Sequence, residues 1–324
     1  MLLGVCCCVL RAGITAPVTN LPVKIIKGIN GHPLNQATYM DIPLQQQIDM
    51  IKKLGFNYYR FDVPVDSSGN IRNETNFYQL VKLSKPAHIG LLPMIYMMGM
   101  NFNDNSQVSY NKGRTIGNVF AQKYGAYFDY FELGNEQEIA LAKPGTSGSS
   151  PDDYDVNKLD VLASFYKGMI DGIKSQRPGA KTIINTGGWF HFVFFDLLKK
   201  KNVNFDIIGY HWYSDMDEYS KKVGVDIVKT ISARTNKPIW FTEVNTAFGT
   251  FKTSEEEQKK WLESFTGYCR KYKAVQAVFI YELLDETKLP MSSGGERFYG
   301  IAKWQRKQFA LKLGARVMTT AYKK

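Results

Sequence analysis

Eight short runs of apolar, β-branched and aromatic residues recur along the chain, and patterns typical of amphipathic helices lie between them. Runs of this length, bounded by turn residues, predict buried strands. The eight predicted strands are residues 24–30, 57–63, 91–97, 130–136, 181–187, 205–213, 238–245 and 275–283. Because the strand–helix unit repeats eight times, the sequence predicts an α/β protein folded as a closed (β/α)8 barrel, the TIM barrel.

The intervening helices have local signals of their own. The first, near residues 43–54, begins with a proline and carries a regular apolar face. Another begins near residue 253, where the spacing of Ser, Thr and Glu is that of a capping box. Further helical patterns cover residues 156–175 and 304–317. An open doubly wound sheet is the alternative, but no Gly-x-Gly-x-x-Gly turn follows the first strand.

Two of the predicted strands contain an apolar, aromatic run that ends in a glutamate, Glu136 in the fourth strand and Glu243 in the seventh. A carboxylate at the end of a buried strand is costly unless it has a partner or a task. The fourth and seventh strands face each other across the mouth of a barrel, at the end where functional residues lie. Two carboxylates that face each other across a cleft are the groups that glycosidic bond cleavage requires. The long loops at 140–154 and 285–299 are expected to rim this cleft.

The order of motifs resembles the clan A retaining glycoside hydrolases, most closely their cellulase-like and xylosidase-like families. The motifs are Asn135-Glu136 on strand four, His211-Trp212-Tyr213 on strand six, and the Trp-Phe-Thr run before Glu243 on strand seven. The resemblance covers residues 24–317. It implies that Glu136 is the general acid/base, that Glu243 is the nucleophile, and that a β-linked oligosaccharide or polysaccharide is cleaved with retention. It implies no cofactor.

The same resemblance assigns supporting roles to residues on other strands. Arg60 on strand two would hold the nucleophile ionised, although a structural ion pair with Glu132 is the alternative. Asn135 would bond the 2-hydroxyl of the sugar. His211 and Tyr213 would lie beside the nucleophile, with a buried, hydrogen-bonded core histidine as the alternative for His211.

Four further residues are candidates for contact with the substrate. Trp189 after strand five and Tyr281 on strand eight are possible stacking platforms, although the clan often has a tryptophan where this chain has Tyr281. His32 after strand one would bond a sugar hydroxyl, or it is a loop histidine without a role. Glu282 begins an acidic cluster with Asp285 and Glu286, and it is the next nucleophile candidate if Glu243 is misplaced.

Composition excludes several other classes of function. The net charge is +11, but the lysines are dispersed and no nucleic-acid-binding motif is present. The one tight basic run, residues 199–201, is expected at a helix end, where it is solvated. The sequence contains neither a His-Glu-x-x-His motif nor a Gly-x-Ser-x-Gly elbow, so we predict no metal site and no serine nucleophile.

The first residues have the composition of an export signal. Residues 1–16 are apolar with a single arginine, and no run is long enough to span a bilayer. We therefore expect a lead segment at 1–21 and one catalytic domain at 22–324, in a monomeric protein that is secreted, periplasmic or on the cell surface. Three alternatives stay open: a transglycosylase with the same residues, an inactive carbohydrate-binding barrel, and a metal-dependent hydrolase on the same fold.

Overall fold

A computed structural model describes residues 25–320. Eight parallel strands close into one barrel in chain order, and β1 pairs with β8 to complete it. The predicted single-domain (β/α)8 barrel is thereby confirmed. The strands are β1 (Ile26–Gly31), β2 (Tyr58–Val63), β3 (Gly90–Ile95), β4 (Tyr130–Leu133), β5 (Lys181–Ile184), β6 (Ile207–Tyr213), β7 (Ile239–Asn245) and β8 (Val275–Ile280).

Helices cover the outside of the barrel. Several begin at the residues that the sequence indicates: Ser254 caps one helix and forms the capping box with Glu257, and Pro43 immediately precedes another. The helices are α1 (Ala37–Met40), α2 (Leu44–Lys53), α3 (Glu74–Ala87), α4 (Ser106–Tyr124), α5 (Val156–Gln176), α6 (Val193–Lys200), α7 (Ser214–Lys222), α8 (Ile227–Ser232), α9 (Glu255–Cys269) and α10 (Val317–Thr320). None of the helices between residues 25 and 320 is long and apolar enough to cross a membrane.

The interior of the barrel is built in two layers. The lower layer is apolar and joins side chains from five strands: Leu92, Ile183, Ile207, Trp240, Ala277 and Phe279. It is tightly packed, since a Cβ added at Gly28 would lie 2.0 Å from the Phe279 ring. Alternate residues of a strand point to the same side, so the residues two positions further along continue inward. On β2 and β4 the inward-facing residues nearer the carboxyl ends are Arg60 and Glu132, and they begin a charged layer above the apolar one.

The predicted helix at residues 304–317 is wrong. Its first part is a hairpin of β9 (Ala302–Gln305) and β10 (Gln308–Leu311), followed by a 3-10 turn at Leu313–Arg316 and by α10. Arg306 and Lys307 both have positive φ, the backbone that a two-residue type I′ turn requires. The rings of Trp304 and Phe309 pack across the two strands at 4.9 Å. This cross-strand pair stabilises the hairpin, whereas the sequence pattern alone suggests a helical period.

The two long loops have different surroundings. Residues 285–299 after β8 include a 3-10 turn, Met291–Phe298, and bring Glu296 and Tyr299 to the mouth of the barrel. The loop at 140–154 contacts the loop after β5 instead, where Nε2 of His191 lies 3.2 Å from the carbonyl oxygen of Ser147. Of these two long loops, only the one after β8 contributes residues to the cavity at the mouth of the barrel.

Candidate active site

A cavity of about 510 Å³ opens at the carboxyl ends of the strands. Its position is the one where TIM barrels hold their reactive residues. The cavity brings together six of the residues singled out from the sequence: His32, Asn135, Glu136, Tyr213, Glu243 and Tyr281. Arg60 and His211 are not among the lining residues but are buried behind them, each bonded to one of the two glutamates.

Glu136 follows β4 in a left-handed conformation, with φ of 49°. This backbone is uncommon for a residue with a side chain, so contacts must hold it. The Glu136 amide donates to Oδ1 of Asn185 at 2.7 Å, and Asn185 also donates to the Gly134 carbonyl at 3.0 Å. The carboxylate Oε1 lies 2.6 Å from Nδ1 of His211. The turn after β4 is therefore fixed from β5, and its side chain from β6.

Glu243 is a buried carboxylate near the end of β7 with two hydrogen-bond donors. Arg60 Nη1 donates to its Oε1 at 2.8 Å, and the Tyr213 hydroxyl donates to its Oε2 at 2.9 Å. The ladder between β6 and β7 shifts after Tyr210, which brings His211 into register with Glu243. Nδ1 of His211 lies 3.5 Å from Oε2 of Glu243. One carboxylate oxygen of Glu243 and one of Glu136 lie within 4.8 Å of each other.

Arg60 has both predicted roles, the structural ion pair with Glu132 and the contact with the predicted nucleophile Glu243. Its guanidinium is 2% exposed and bonds both carboxylates, Glu132 through Nε and Glu243 through Nη1. It also donates to Oδ1 of Asn30 and to Oδ1 of Asn135, each at 2.8 Å. The rigid fork of five donors suits this set of oxygens, which a lysine could not reach together. The structural pair with Glu132 and the contact with Glu243 therefore coexist.

Glu136 and His211 shift each other's pKa. Burial favours the neutral form of Glu136, but the hydrogen bond and the charge of His211 outweigh burial and lower the pKa of Glu136. Burial also lowers the pKa of His211, yet the charge of Glu243 and the bond to Glu136 raise it above its usual value. Both shifts favour an ionised Glu136 that accepts the 2.6 Å hydrogen bond from Nδ1 of His211.

His32, on the opposite wall, belongs to a separate buried network. Its Nδ1 lies 2.9 Å from Oδ2 of Asp62, and its Nε2 lies 3.3 Å from Oε2 of Glu282. Glu282 is fully buried, is absent from the lining of the cavity and accepts a 2.6 Å bond from Tyr39. Burial raises the pKa of Glu282 despite its contact with His32. Glu282 therefore supports His32 from behind, while Glu243 takes the position facing Glu136.

The two predicted aromatic platforms lie in different places. Tyr281 lines the cavity, with its ring edge-on to His32 at 5.8 Å and to Tyr299 at 5.3 Å. Trp189 is not among the residues that line the cavity. It is 38% exposed on the adjoining surface, where its ring meets that of Tyr219.

Sequence reasoning missed two carboxylates that line the cavity. Asp62 shares the inward face of β2 with Arg60, so strand alternation could have found it. The His32 contact outweighs burial and lowers the pKa of Asp62 to about 2. Glu296 lies in the loop after β8, where no periodic pattern marks it. Desolvation and the charges of Glu243, Glu282 and Glu136 raise the pKa of Glu296 to about 7.

Two groups in this region contain metal-ligating residue types at close range. In each group one atom per side chain lies within 4.8 Å of the others: Glu136, His211 and Glu243 in the first group, and His32, Glu282 and Glu286 in the second. Either could hold a divalent cation by ligand type. The prediction that the reaction needs no metal or cofactor stays a prediction.

Comparison with known families identifies the class of catalytic domain. Residues 170–294 match the family described as glycosyl hydrolase catalytic core. This segment is similar to a glycosyl hydrolase catalytic core. The matched segment includes His211, Tyr213, Glu243 and Tyr281, and it begins after Glu136, the other predicted catalytic residue. The match confirms the expected resemblance and the expected class of enzyme, a glycosidase.

Solved structures agree with the fold at low sequence identity. A β-glucosidase from Thermotoga maritima in complex with deoxynojirimycin has 13% identity and a TM-score of 0.69, over 94% of this chain and 98% of that chain. A GH53 catalytic domain from Ignisphaera aggregans has 18% identity and a TM-score of 0.66, over 95% and 99%. Virulence factor SghA from Agrobacterium tumefaciens has 12% identity and a TM-score of 0.68, over 93% and 97%. No curated protein matches this chain in sequence.

Proposed function

We propose that this protein is a retaining glycosidase in which Glu243 is the nucleophile and Glu136 is the general acid/base. The observation that carries the proposal is the approach of the two carboxylates to within 4.8 Å, in one cavity. Retaining enzymes hold their two carboxyl groups about 5–5.5 Å apart, whereas inverting enzymes need about 6.5–9.5 Å to admit a water molecule. The separation here supports retention.

In the first step a carboxylate oxygen of Glu243 attacks the anomeric carbon, and the bond from that carbon to the leaving oxygen breaks. Glu136 transfers a proton to the leaving oxygen, so the departing sugar leaves as an alcohol. Arg60 and Tyr213 bond different oxygens of Glu243, which orients the nucleophile and stabilises its charge before attack. Asn135 is held by Arg60 at the edge of the cavity, where a 2-hydroxyl would reach it.

The proton for this step comes from the Glu136–His211 pair. In the free protein the lowered pKa of Glu136 and the raised pKa of His211 favour its position on Nδ1 of His211, 2.6 Å from Glu136. A bound sugar displaces water from the cavity, and a drier site disfavours two separated charges. The pair then shifts toward neutral imidazole and protonated carboxyl, which places the proton on Glu136. His211 is thus a positioning residue that also stores the proton.

In the second step a water molecule attacks the glycosyl–Glu243 ester. Glu136, now a carboxylate, accepts the proton of this water, and the ester bond to Glu243 breaks. The sugar leaves with its original anomeric configuration, and both glutamates return to their starting states. A sugar acceptor in place of water would give transglycosylation from the same intermediate.

We propose a β-linked oligosaccharide or polysaccharide as the substrate. The structural neighbours include a β-glucosidase from Thermotoga maritima, which supports a β-linkage. Acidic side chains line the cavity, Asp62, Glu136, Glu243 and Glu296 among them, which disfavours a negatively charged sugar there. The net charge of +11 therefore does not describe the cavity itself.

Export to the periplasm, cell surface or medium is proposed from residues 1–16 alone, and these residues lie outside the part of the chain that the structure describes.

Paired glutamine variants test the assignment. The native protein is first screened against β-linked aryl glycosides and oligosaccharides. Glu243→Gln should abolish cleavage of every substrate that the native protein cleaves. Glu136→Gln should lose oligosaccharide cleavage but keep the first step on aryl glycosides with very acidic leaving groups, which need no proton. Glu263→Gln, at an exposed position of α9, is the matched control.

The outcomes separate the proposal from its rivals. Full activity in both catalytic variants would overturn the assignment. Oligosaccharide binding without turnover by the native protein would indicate a binding barrel, and chelator-sensitive activity would indicate a metal-dependent hydrolase. Product analysis in the presence of sugar acceptors distinguishes hydrolysis from transglycosylation.

A further inference from the structure

An exposed tryptophan next to the cavity is held in an unusual backbone conformation. Trp189 has φ of 47°, in the left-handed region that a bulky residue rarely adopts, and its side chain is 38% exposed. Conformational strain of this kind persists only where the surroundings enforce it, and it clusters at functional sites. A large aromatic side chain that is both strained and exposed contributes little to the core, so its position calls for a function.

Three contacts enforce the conformation. The Tyr210 hydroxyl donates to the Trp189 carbonyl at 2.9 Å, and the Trp189 amide lies 3.3 Å from the sulfur of Met216. The preceding Gly188 packs against β6, where an added Cβ would lie 2.3 Å from the His211 carbonyl oxygen. The backbone that presents Trp189 is therefore fixed by the same strand that carries His211.

The segment is continuous with the proposed acid/base. A Cβ added at Gly187 would lie 3.3 Å from the carboxyl carbon of Glu136. Gly187 therefore lies directly against the Glu136 side chain. Trp189 is two residues further along, a span of at most roughly 7 Å of chain. The Trp189 backbone thus lies close to the proposed acid/base.

A second exposed aromatic residue extends this surface. Tyr219 on α7 is 45% exposed, and its ring centroid lies 6.1 Å from that of Trp189 at an interplanar angle of 65°. Phe190 supports Tyr219 at 5.6 Å. We call Trp189 and Tyr219 together the aromatic platform. The two rings combine apolar area with polar edges, which is what a sugar, with its C–H faces and hydroxyl rim, can use.

We propose that the aromatic platform binds the sugars on the leaving-group side of the bond that is cleaved. The inference rests on the proposed function. Because Glu136 protonates the leaving oxygen, the leaving sugar must lie next to Glu136, and the platform lies on the adjoining surface, two residues beyond Gly187. The occupant is therefore the reducing-end part of a β-linked oligosaccharide, and cleavage favours bonds that have at least one further sugar on that side.

The test compares substrates that differ only in what they place on the platform. A glycosyl fluoride has a leaving group too small to reach it, whereas a β-linked tetrasaccharide of the same sugar covers it. Trp189→Gly removes the ring and relieves the strained φ, so the variant should fold at least as well as the native protein. We expect it to lower kcat/KM for the tetrasaccharide roughly tenfold or more and to leave fluoride hydrolysis within about twofold.

Further variants make the test specific. Tyr219→Ala should give the same selective loss to a smaller extent, and Trp189→Phe should retain most of the tetrasaccharide activity. Tyr78→Ala, which removes an exposed tyrosine from α3, is the matched control and should change neither substrate. Equal losses on both substrates, or an unchanged tetrasaccharide rate in Trp189→Gly, would overturn the proposal.

Failure of the proposed function would be recognised separately. If the native protein hydrolyses neither substrate, the glycosidase assignment fails. The platform is then tested by calorimetric titration of the tetrasaccharide. A roughly tenfold weaker affinity in Trp189→Gly would support the platform, and an unchanged affinity would overturn it.

Discussion

Replacing Arg60 by methionine should damage both stability and catalysis, because one guanidinium holds two buried carboxylates. Arg60 and Glu132 are 2% and 0% exposed. Removing one partner of a buried ion pair costs about 3–5 kcal/mol, since the other charge stays buried without compensation. Glu132 keeps a 2.7 Å bond from Asn185, so we expect a loss near the lower end, about 3 kcal/mol. This is a large part of the roughly 5–15 kcal/mol that stabilises a typical domain.

A double variant separates the two roles. In Arg60→Met/Glu132→Met both partners of the structural pair become apolar, a change that is often close to neutral. Stability should return toward the native value, but Glu243 still lacks its cation. A hydrogen bond to a charged group is worth about 1.5–3 kcal/mol, so kcat/KM should stay roughly 10-fold to 150-fold below native in both variants.

Urea unfolding followed by tryptophan fluorescence measures the stability, and the best aryl β-glycoside of the panel measures the activity. The m-value should stay constant, so that the midpoint reports stability alone. Arg72→Met, at an exposed loop position, is the control. A loss below about 1 kcal/mol in Arg60→Met, or recovery of activity together with stability in the double variant, would refute the reasoning.

Three further outcomes follow from single contacts. Tyr213→Phe removes the 2.9 Å bond to Glu243 and should lower kcat/KM roughly 10-fold to 100-fold while the unfolding midpoint changes little; an unchanged rate would contradict that role. Burial lowers the pKa of His211, but the charges of Glu243 and Glu136 outweigh burial and raise this pKa above 6.5. The pair should therefore keep its shared proton up to this higher pKa, and activity should fall as the pH rises through it. His211→Asn should move this alkaline limb in the pH profile of kcat/KM to lower pH, and a limb at the native position would exclude His211 from the pair. Gly28→Ala should cost about 1–3 kcal/mol in urea unfolding, since its Cβ would lie 2.0 Å from Phe279; a neutral effect would mean that the lower layer can relax.

Periodicity and strand order made the barrel and the central pair predictable. Each strand reads as a separate apolar run, and closure in chain order follows once eight of them alternate with helices. The same alternation places Arg60 and Glu132 on the inward face, so this pair could be named from local pattern and one topological rule. The contact of Arg60 with Glu243 is instead implied by the family resemblance.

The features that escaped prediction depend on contacts distant in sequence. The β9–β10 hairpin depends on the left-handed Arg306 and Lys307 and on the packing of Trp304 on Phe309. The Glu136–His211 hydrogen bond joins the turn after β4 to β6 and shifts the pKa values of both residues. The exposure and backbone strain of Trp189 are enforced by β6, and no pattern around residue 189 announces them. Such features depend on tertiary register, which a single sequence does not specify.

The anomeric configuration of the first-formed product tests the central claim most directly. Proton NMR of the reaction, recorded before mutarotation equilibrates the product, distinguishes the two anomers. One oxygen of each carboxylate lies within 4.8 Å of the other, a spacing that favours double displacement, so the first product from a β-glycoside should be the β-anomer. Initial accumulation of the α-anomer would mean single displacement by water and would contradict the assignment of Glu243 as the nucleophile.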